Sequence, residues 1–207
     1  MKKKTDWDSY YKNPNKISKI TRKITADILI KLIKKYITET PLSVLEFGGA
    51  NSCTYDFIAN SFNLEKYVVI DNNQLGLDKF SERDNLNNVI LENDSVLKLS
   101  NDFQVDFTYS IGLIEHFSKA DTRKAIASHF ETTKKNGLVI ISFPTPTFLY
   151  KICRKILEIL GLWIFHDERP LHQSEVLDAM NNYGEILNVK INWPIMLTQC
   201  LVVARKL

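Results

Sequence analysis

The sequence predicts an α/β fold, a doubly wound and mostly parallel sheet with helices on both faces. Three observations carry this. Short apolar segments alternate with polar or helical stretches from residue 43 to residue 143. The first segment, residues 43–47, carries an acid at its end and runs into the small-residue turn Gly48-Gly49-Ala50-Asn51-Ser52. Strand, tight turn and helix in that order let backbone N–H groups approach a ligand closely. Two further apolar segments, residues 186–192 and 198–204, are joined only by Trp193-Pro194 and a few neighbours. So short a connection predicts an antiparallel pair.

Residues 5–15 are polar and aromatic, with Tyr10, Tyr11 and Pro14. Ile17, Ile20, Ile24, Ile28, Leu32 and Tyr36 then recur at intervals of three and four, which predicts one buried helix face opposite a lysine-rich one. Pro41 blocks that helix from running on. Strands are expected at 43–47, 67–71, 88–92, 105–110 and 138–143. The last is almost wholly apolar, as a central parallel strand should be. Helices are expected over 52–62, 74–80 and 118–135. The third should end on Lys134-Lys135-Asn136-Gly137, a cationic last turn with a left-handed cap. His129 on this helix is expected to face solvent.

Beyond Pro144-Thr145-Pro146, Leu149, Ile152, Cys153, Ile156, Leu160, Trp163 and Ile164 form an apolar helical stripe opposite Lys151, Arg154 and Lys155. The stripe packs on the core or pairs two copies; covering a substrate pocket or touching a membrane surface are the alternatives. A further helix is expected from about Glu175 to Asn182. There is no repeat, low-complexity tract or linker, so residues 1–207 read as one domain. Residues 1–40 would form a helical lid, and 144–184 an insertion after the fifth strand.

Composition excludes several function classes. The chain has 207 residues, 44% hydrophobic and 25% charged, as is ordinary for a soluble domain. Lys+Arg of 27 against Asp+Glu of 24 gives +3, too small a surplus to argue for nucleic acid. No apolar run reaches the length of a stable membrane span. Met1-Lys2-Lys3-Lys4 is followed by Thr5-Asp6-Trp7-Asp8, with no signal-peptide core. Cys53, Cys153 and Cys200 are far apart and odd in number, so they make neither a metal spacing nor a disulfide framework. A reducing, cytoplasmic location follows as the expectation.

The turn Glu46-Phe47-Gly48-Gly49-Ala50-Asn51-Ser52 resembles motif I of the class I S-adenosylmethionine-dependent methyltransferases. Glu46 and Gly48 match it; Ala50 and Ser52 stand where that family usually has glycine, and Ser52 can instead cap the next helix. Val68-Val69-Ile70-Asp71 ends a second strand in an acid, Asn93-Asp94-Ser95 follows the third, and Asp106 to Phe117 resembles the family's fourth strand with its Glu115-His116 loop. Asn136 to Pro144 resembles its fifth strand. The matches span about residues 40–145 in order, and the final strand pair fits the family's antiparallel seventh strand.

The resemblance implies a seven-stranded, Rossmann-like methyltransferase fold and S-adenosylmethionine as cofactor. It implies cofactor contacts from Glu46, Gly48, Gly49 and Ala50 on the methionine side and from Asp71 on the ribose hydroxyls, with Asn72 beside it. Asn93, Asp94 and Ser95 would meet the adenine. Ser110 and Tyr11 complete the set, Tyr11 within an aromatic lid. A nicotinamide dehydrogenase fits less well, because the carboxylate of Glu46 suits a cationic ligand better than a pyrophosphate. The base for methyl transfer would be His116, His166 or His172, unless His116 only packs its loop. Arg169 could clamp an anionic acceptor, with Glu115 nearby. The cluster His166-Asp167-Glu168-Arg169-Pro170-Leu171-His172 could otherwise be a solvated loop, and no metal is assigned to it. The acceptor is expected to be a small molecule or glycan, such as a surface-polysaccharide precursor, methylated on oxygen. A quinone-type phenol and a non-catalytic cofactor-binding protein are the alternatives, and a homodimer is compatible with either.

Overall fold

Seven strands build one sheet: β1 (Leu42–Phe47), β2 (Leu64–Asp71), β3 (Val89–Asn93), β4 (Val105–Ile111), β5 (Thr133–Pro144), β6 (Gly184–Ile191) and β7 (Gln199–Lys206). The computed structural model describes residues 4–12, 18–38, 40–84, 86–193 and 195–207; Pro14, Ile17 and Pro194 lie outside them. In space the strands run β3-β2-β1-β4-β5-β7-β6. β1 to β5 pair in parallel, and β7 inserts antiparallel between β5 and β6, as the closing segments predict. The chain order reverses between β1 and β4. In an open sheet of this kind, ligands bind in the crevice outside the strand C-termini at that point.

The pleat divides the core. Leu45, Phe47, Val68, Ile70, Val139 and Ile141 face one layer, built from α5 (Lys119–Glu131) and α7 (Gln173–Met180). Val44, Tyr67, Val69, Phe107, Tyr109 and Ile140 face the other, covered by α2 (Ser18–Tyr36), α3 (Tyr55–Ala59) and α4 (Gln74–Ser81). A short α1 (Trp7–Lys12) and α6 (Phe148–Ile159) complete the helices.

Four expectations need correction. The buried face of α2 is Ala26, Leu29, Leu32 and Ile33, while Ile20 is 71% exposed. Isoleucines crowd this helix, so two adjacent stripes fit the spacing and packing on the sheet chooses between them. The helix predicted at 52–62 is one short turn-and-a-half, α3, whose start is capped by Ser52 Oγ accepting from the N–H groups of Thr54 (3.2 Å) and Tyr55 (3.0 Å). Helix α5 stops at Glu131, because the Thr132 and Thr133 hydroxyls donate back to the carbonyls of Ser128 (3.0 Å) and His129 (2.6 Å). Residues 133–137 instead begin β5 as an irregular stretch, with Asn136 the left-handed residue. Gly137 is needed for close approach, since a Cβ there would lie 2.5 Å from Thr133 Cγ2.

The fourth correction concerns the stripe after β5. Cys153 and Trp163 are buried, but Ile152, Ile156, Leu160 and Ile164 are exposed, so most of it does not pack on the core.

The α2 registration is testable. Leu29→Ala should cost about 2–5 kcal/mol in urea unfolding. Ile20→Ala should stay within about 0.5 kcal/mol of the parent. Equal losses would mean that the buried face is assigned wrongly.

Candidate functional site

The turn after β1 is shaped from beneath by Glu46. This side chain is 4% exposed and points into the layer beneath the turn. Its Oε2 accepts from the Tyr67 hydroxyl (2.7 Å) and its Oε1 from the Thr54 hydroxyl (3.1 Å). The Tyr109 hydroxyl joins both donors, at 2.6 Å from Tyr67 and 2.7 Å from Thr54. Burial pushes the Glu46 carboxyl up, opposed by the hydroxyls around it. Above it, a Cβ on Gly49 would lie 2.7 Å from Glu46 Cδ. Gly48 has φ +70°, and a Cβ there would lie 2.9 Å from Leu113. These glycines let the turn lie flat on its own carboxylate and against the loop after β4.

Asp71 fixes the turn from the side. Its Oδ2 accepts from the Ala50 amide (3.1 Å) and its Oδ1 from the Asn73 amide (2.8 Å). Burial lifts its carboxyl to about 6 despite these amides. Ala50 stands where the motif that this turn resembles has glycine, and its methyl is accommodated by a glycine elsewhere: a Cβ on Gly76 would lie 2.5 Å from Ala50 Cβ. Gly76 and Asn73 are residues the sequence reading missed. Asn73 caps α4, accepting from the Gly76 amide (2.7 Å), and an Asn before a helical run was the available signal.

The neighbouring candidates differ in how free they are. Asn72 is exposed. Asn93 donates to Gln74 Oε1 (2.6 Å) beside a shallow cleft between α4 and β3. The Asp94 amide donates to the Asp71 carbonyl (3.2 Å), which ties the loop after β3 to the end of β2. The Asp94 carboxylate accepts from the amides of Ser95 (2.7 Å) and Ser100 (2.6 Å), which hold its pKa down. Ser95 Oγ accepts from the Leu97 amide (3.2 Å). Ser110 lies on the opposite face of the pleat from Tyr109, fully buried, 2.9 Å from His129 Nε2. His129 is therefore not solvent-facing: it is wholly buried between β4 and α5, with Nδ1 2.7 Å from the Ala125 carbonyl.

Across the crevice, the loop after β4 holds a single 3-10 turn, Ile114–His116. His116 Nδ1 lies 3.0 Å from Asp167 Oδ1, and Asp167 also accepts from the Thr5 hydroxyl. Burial lowers the His116 pKa, against the pull of Asp167. The ring is therefore neutral near pH 7, with Nδ1–H held by Asp167 and the Nε2 lone pair free. Among the described residues nothing hydrogen-bonds to Nε2. His166 and His172 are exposed, and among the described residues neither side chain bonds to this pair. Arg169 is occupied: both terminal nitrogens reach Glu175 at 2.9 Å, and Nη2 donates to Thr122 (3.2 Å). Glu115 is buried with Oε2 unpartnered among the described residues, and burial together with Glu168 and Asp167 raises its pKa well above the ordinary range. Among the described residues no three His, Cys, Asp or Glu gather into a metal ligand set.

Helix α1 bridges the two sides. Asp8 accepts from Asn73 Nδ2 (2.7 Å) at the β2 end, and the Trp7 ring packs edge-on against His116 at 5.0 Å. Tyr11 reaches toward Gly76, its Cε2 3.1 Å from where a Cβ would stand, and burial with Asp71 nearby pushes its hydroxyl pKa up strongly. Arg22 on α2 donates to the Tyr10 hydroxyl (3.0 Å).

No protein-family model matches the chain, and no curated protein matches it. Solved structures do. Magnesium protoporphyrin IX methyltransferase (ChlM) from Synechocystis PCC 6803 with bound SAH superposes with a TM-score of 0.71 at 14% identity, over 94% of this chain and 89% of that one. A chain of the Haloferax volcanii complex containing the Trm112 methyltransferase activator gives 0.79 at 11% identity over 99% of each. N-methyltransferase NodS from Bradyrhizobium japonicum WM9, in complex with S-adenosyl-L-homocysteine, gives 0.65 at 12% identity over 88% and 87%. The chain has the class I methyltransferase fold.

His129 has a pH consequence. Burial drops its pKa from the ordinary 6.5 to about 4. A base with a depressed folded pKa stabilises the fold above the unfolded value and loses that contribution as pH falls towards the folded one. The gap corresponds to about 3 kcal/mol. Between pH 7 and 4.5 the parent should lose more stability than His129→Gln, read from urea midpoints. Parallel pH profiles would contradict a neutral, buried His129.

Proposed function

We propose that the protein is an S-adenosylmethionine-dependent methyltransferase acting on an oxygen of a small molecule or of a sugar in a surface-polysaccharide precursor. The observation that carries this reading is Asp71. Its carboxylate stands at the C-terminal end of β2, fixed by two backbone amides, beside a left-handed glycine turn. Each oxygen accepts one N–H and keeps a lone pair, so together they suit a vicinal diol. The residues fit the cofactor in that sense: Asp71 would take the ribose hydroxyls, the turn at residues 48–50 would line the methionine side, with the Ala50 amide already given to Asp71 and the Gly48 amide to the Ile70 carbonyl, and residues 93–95 would flank the adenine. Glu46 serves from beneath, holding the turn in shape.

Bound S-adenosylmethionine would supply an electrophilic methyl group on a sulfonium. The chain's own part is to orient the acceptor and take its proton. His116 is the base in this reading: neutral, oriented by Asp167 and shielded by Trp7 and Phe165, with Nε2 open to a hydroxyl. Asp167 is the positioning residue. Oxygen is favoured over nitrogen because Ser110-Ile111-Gly112-Leu113 stands at the end of β4, where amino-methylating enzymes of this fold carry an Asn-Pro-Pro-Tyr-like run.

The test is transfer of a labelled methyl group to a panel of hydroxyl acceptors. His116→Ala should lower kcat about 100-fold or more, while S-adenosylhomocysteine affinity stays within about twofold. Asp167→Asn should cost less and shift the pH profile of kcat/KM. Full turnover in His116→Ala would remove it as the base. A parent chain that binds the cofactor and methylates nothing in the panel would favour a non-catalytic role.

A further inference from the structure

Helix α6 is apolar on two sides, and only one of them is used. Tyr150 and Cys153 are buried against the body. Phe148, Ile152, Ile156 and Ile159, spaced by four, four and three, point away; Phe148 is 80% and Ile159 73% exposed. Leu160 and Leu162 extend the patch past the helix end, at 62% and 63% exposed. A contiguous exposed stripe of this kind marks an interaction surface.

The helix also sorts its charges. Arg154 turns inward: it donates to Glu158 Oε1 (2.9 Å) and the Tyr150 hydroxyl (3.1 Å), and its guanidinium lies 4.8 Å from the Trp163 ring centre. Glu158, the only acid of the helix, is thereby paired. Lys151 and Lys155 lie on one shoulder of the exposed stripe. Neither ammonium group makes an ion pair or hydrogen bond among the described residues. The outer face therefore offers apolar side chains and unpaired cations with no free acid.

We propose that this face of α6 lies on an anionic membrane surface, and that the acceptor is a hydroxyl carried by a lipid of that membrane. The second half rests on the methyltransferase reading. Charge complementarity selects the occupant: apolar side chains enter the headgroup boundary while flanking lysines stay at the phosphates. A two-fold contact between copies through this helix would set the same apolar and cationic side chains against themselves and supply no acid. Docking is peripheral, since no described helix is long and apolar enough to cross a membrane. The inner side of α6 links this surface to the crevice. The Tyr150 hydroxyl bonds to Glu168, and Arg154 pairs with the same carboxylate (3.4 Å). Glu168 adjoins Asp167, the partner of His116. A substrate leaving the lipid beside α6 would meet that pair.

Flotation of the full chain with phosphatidylcholine vesicles, with and without phosphatidylglycerol, tests this. The chain should bind the anionic vesicles about tenfold or more tightly than the neutral ones, and less tightly as salt rises. The double variant Ile156→Glu, Ile159→Glu should lose binding while keeping its circular dichroism and its S-adenosylhomocysteine affinity. Lys151→Gln with Lys155→Gln should lose the preference for anionic lipid. Absence of binding to either vesicle, or unchanged binding by the glutamate variant, overturns the proposal. So does a lipid-free dimer, seen by light scattering, that the glutamate variant converts to a monomer. Calorimetry separates the two readings. Vesicle binding without S-adenosylhomocysteine binding keeps the docking face and defeats the acceptor assignment; the reverse result defeats the docking face and the lipid acceptor and leaves the methyltransferase reading standing.

Discussion

A buried carboxylate held by hydroxyl groups organises this molecule. Glu46 lies near the end of β1 inside the sheet layer, and among the described residues it pairs with no cation. Left ionised and unpaired it would be prohibitively costly, so the surroundings must donate to it or keep its proton on. The hydroxyls of Tyr67 on β2 and Thr54 at the start of α3 meet the demand, and the Tyr109 hydroxyl on β4 bonds to both of them. The network therefore pins the three strands on either side of the switch point and the helix that follows. The turn over it needs glycine at 49 because that carboxylate lies directly beneath, and a left-handed residue at 48 because the chain must reverse there. The crevice is thus a consequence of how one buried acid is satisfied.

The two sides of the crevice have different characters. On the β2 side, amides, carboxylates and asparagines are tied into a rigid polar rim: Asp71 holds the Ala50 amide, Asn73 caps α4, and Asp94 is consumed by its own loop. On the β4 side, an imidazole with one free nitrogen sits among aromatic rings. One rim suits a polar nucleoside and the other a proton transfer screened from water. Helix α1 touches both, through Asp8 and Trp7, so the segment before α2 can report on either.

Much of this was legible in the sequence. Apolar runs ending in Glu46 and Asp71, the glycine turn between strand and helix, and the short link before β7 mark the sheet and its switch point. Their signals are local, a period, a breaker or an end residue. What was hidden depends on contacts between distant residues. Ala50 looks like a defect in the turn until Gly76, on another helix, is seen to make room for its methyl. His129 looks like a surface residue until Ser110 turns out to be its partner. The early end of α5 depends on which way two threonine hydroxyls point. Arg169 looks free until Glu175 folds back onto it. Among the three candidate bases, only packing distinguishes His116, ringed by Trp7 and Phe165, from the exposed His166 and His172.

The central claim is that the crevice between β1 and β4 holds a nucleoside through Asp71. Titration calorimetry of S-adenosylhomocysteine into the parent and Asp71→Ala tests it most directly. The account predicts saturable one-to-one binding by the parent and a loss of about tenfold or more in the variant, which corresponds to about 1.4 kcal/mol. No binding by the parent, or equal affinity in the two chains, would contradict it.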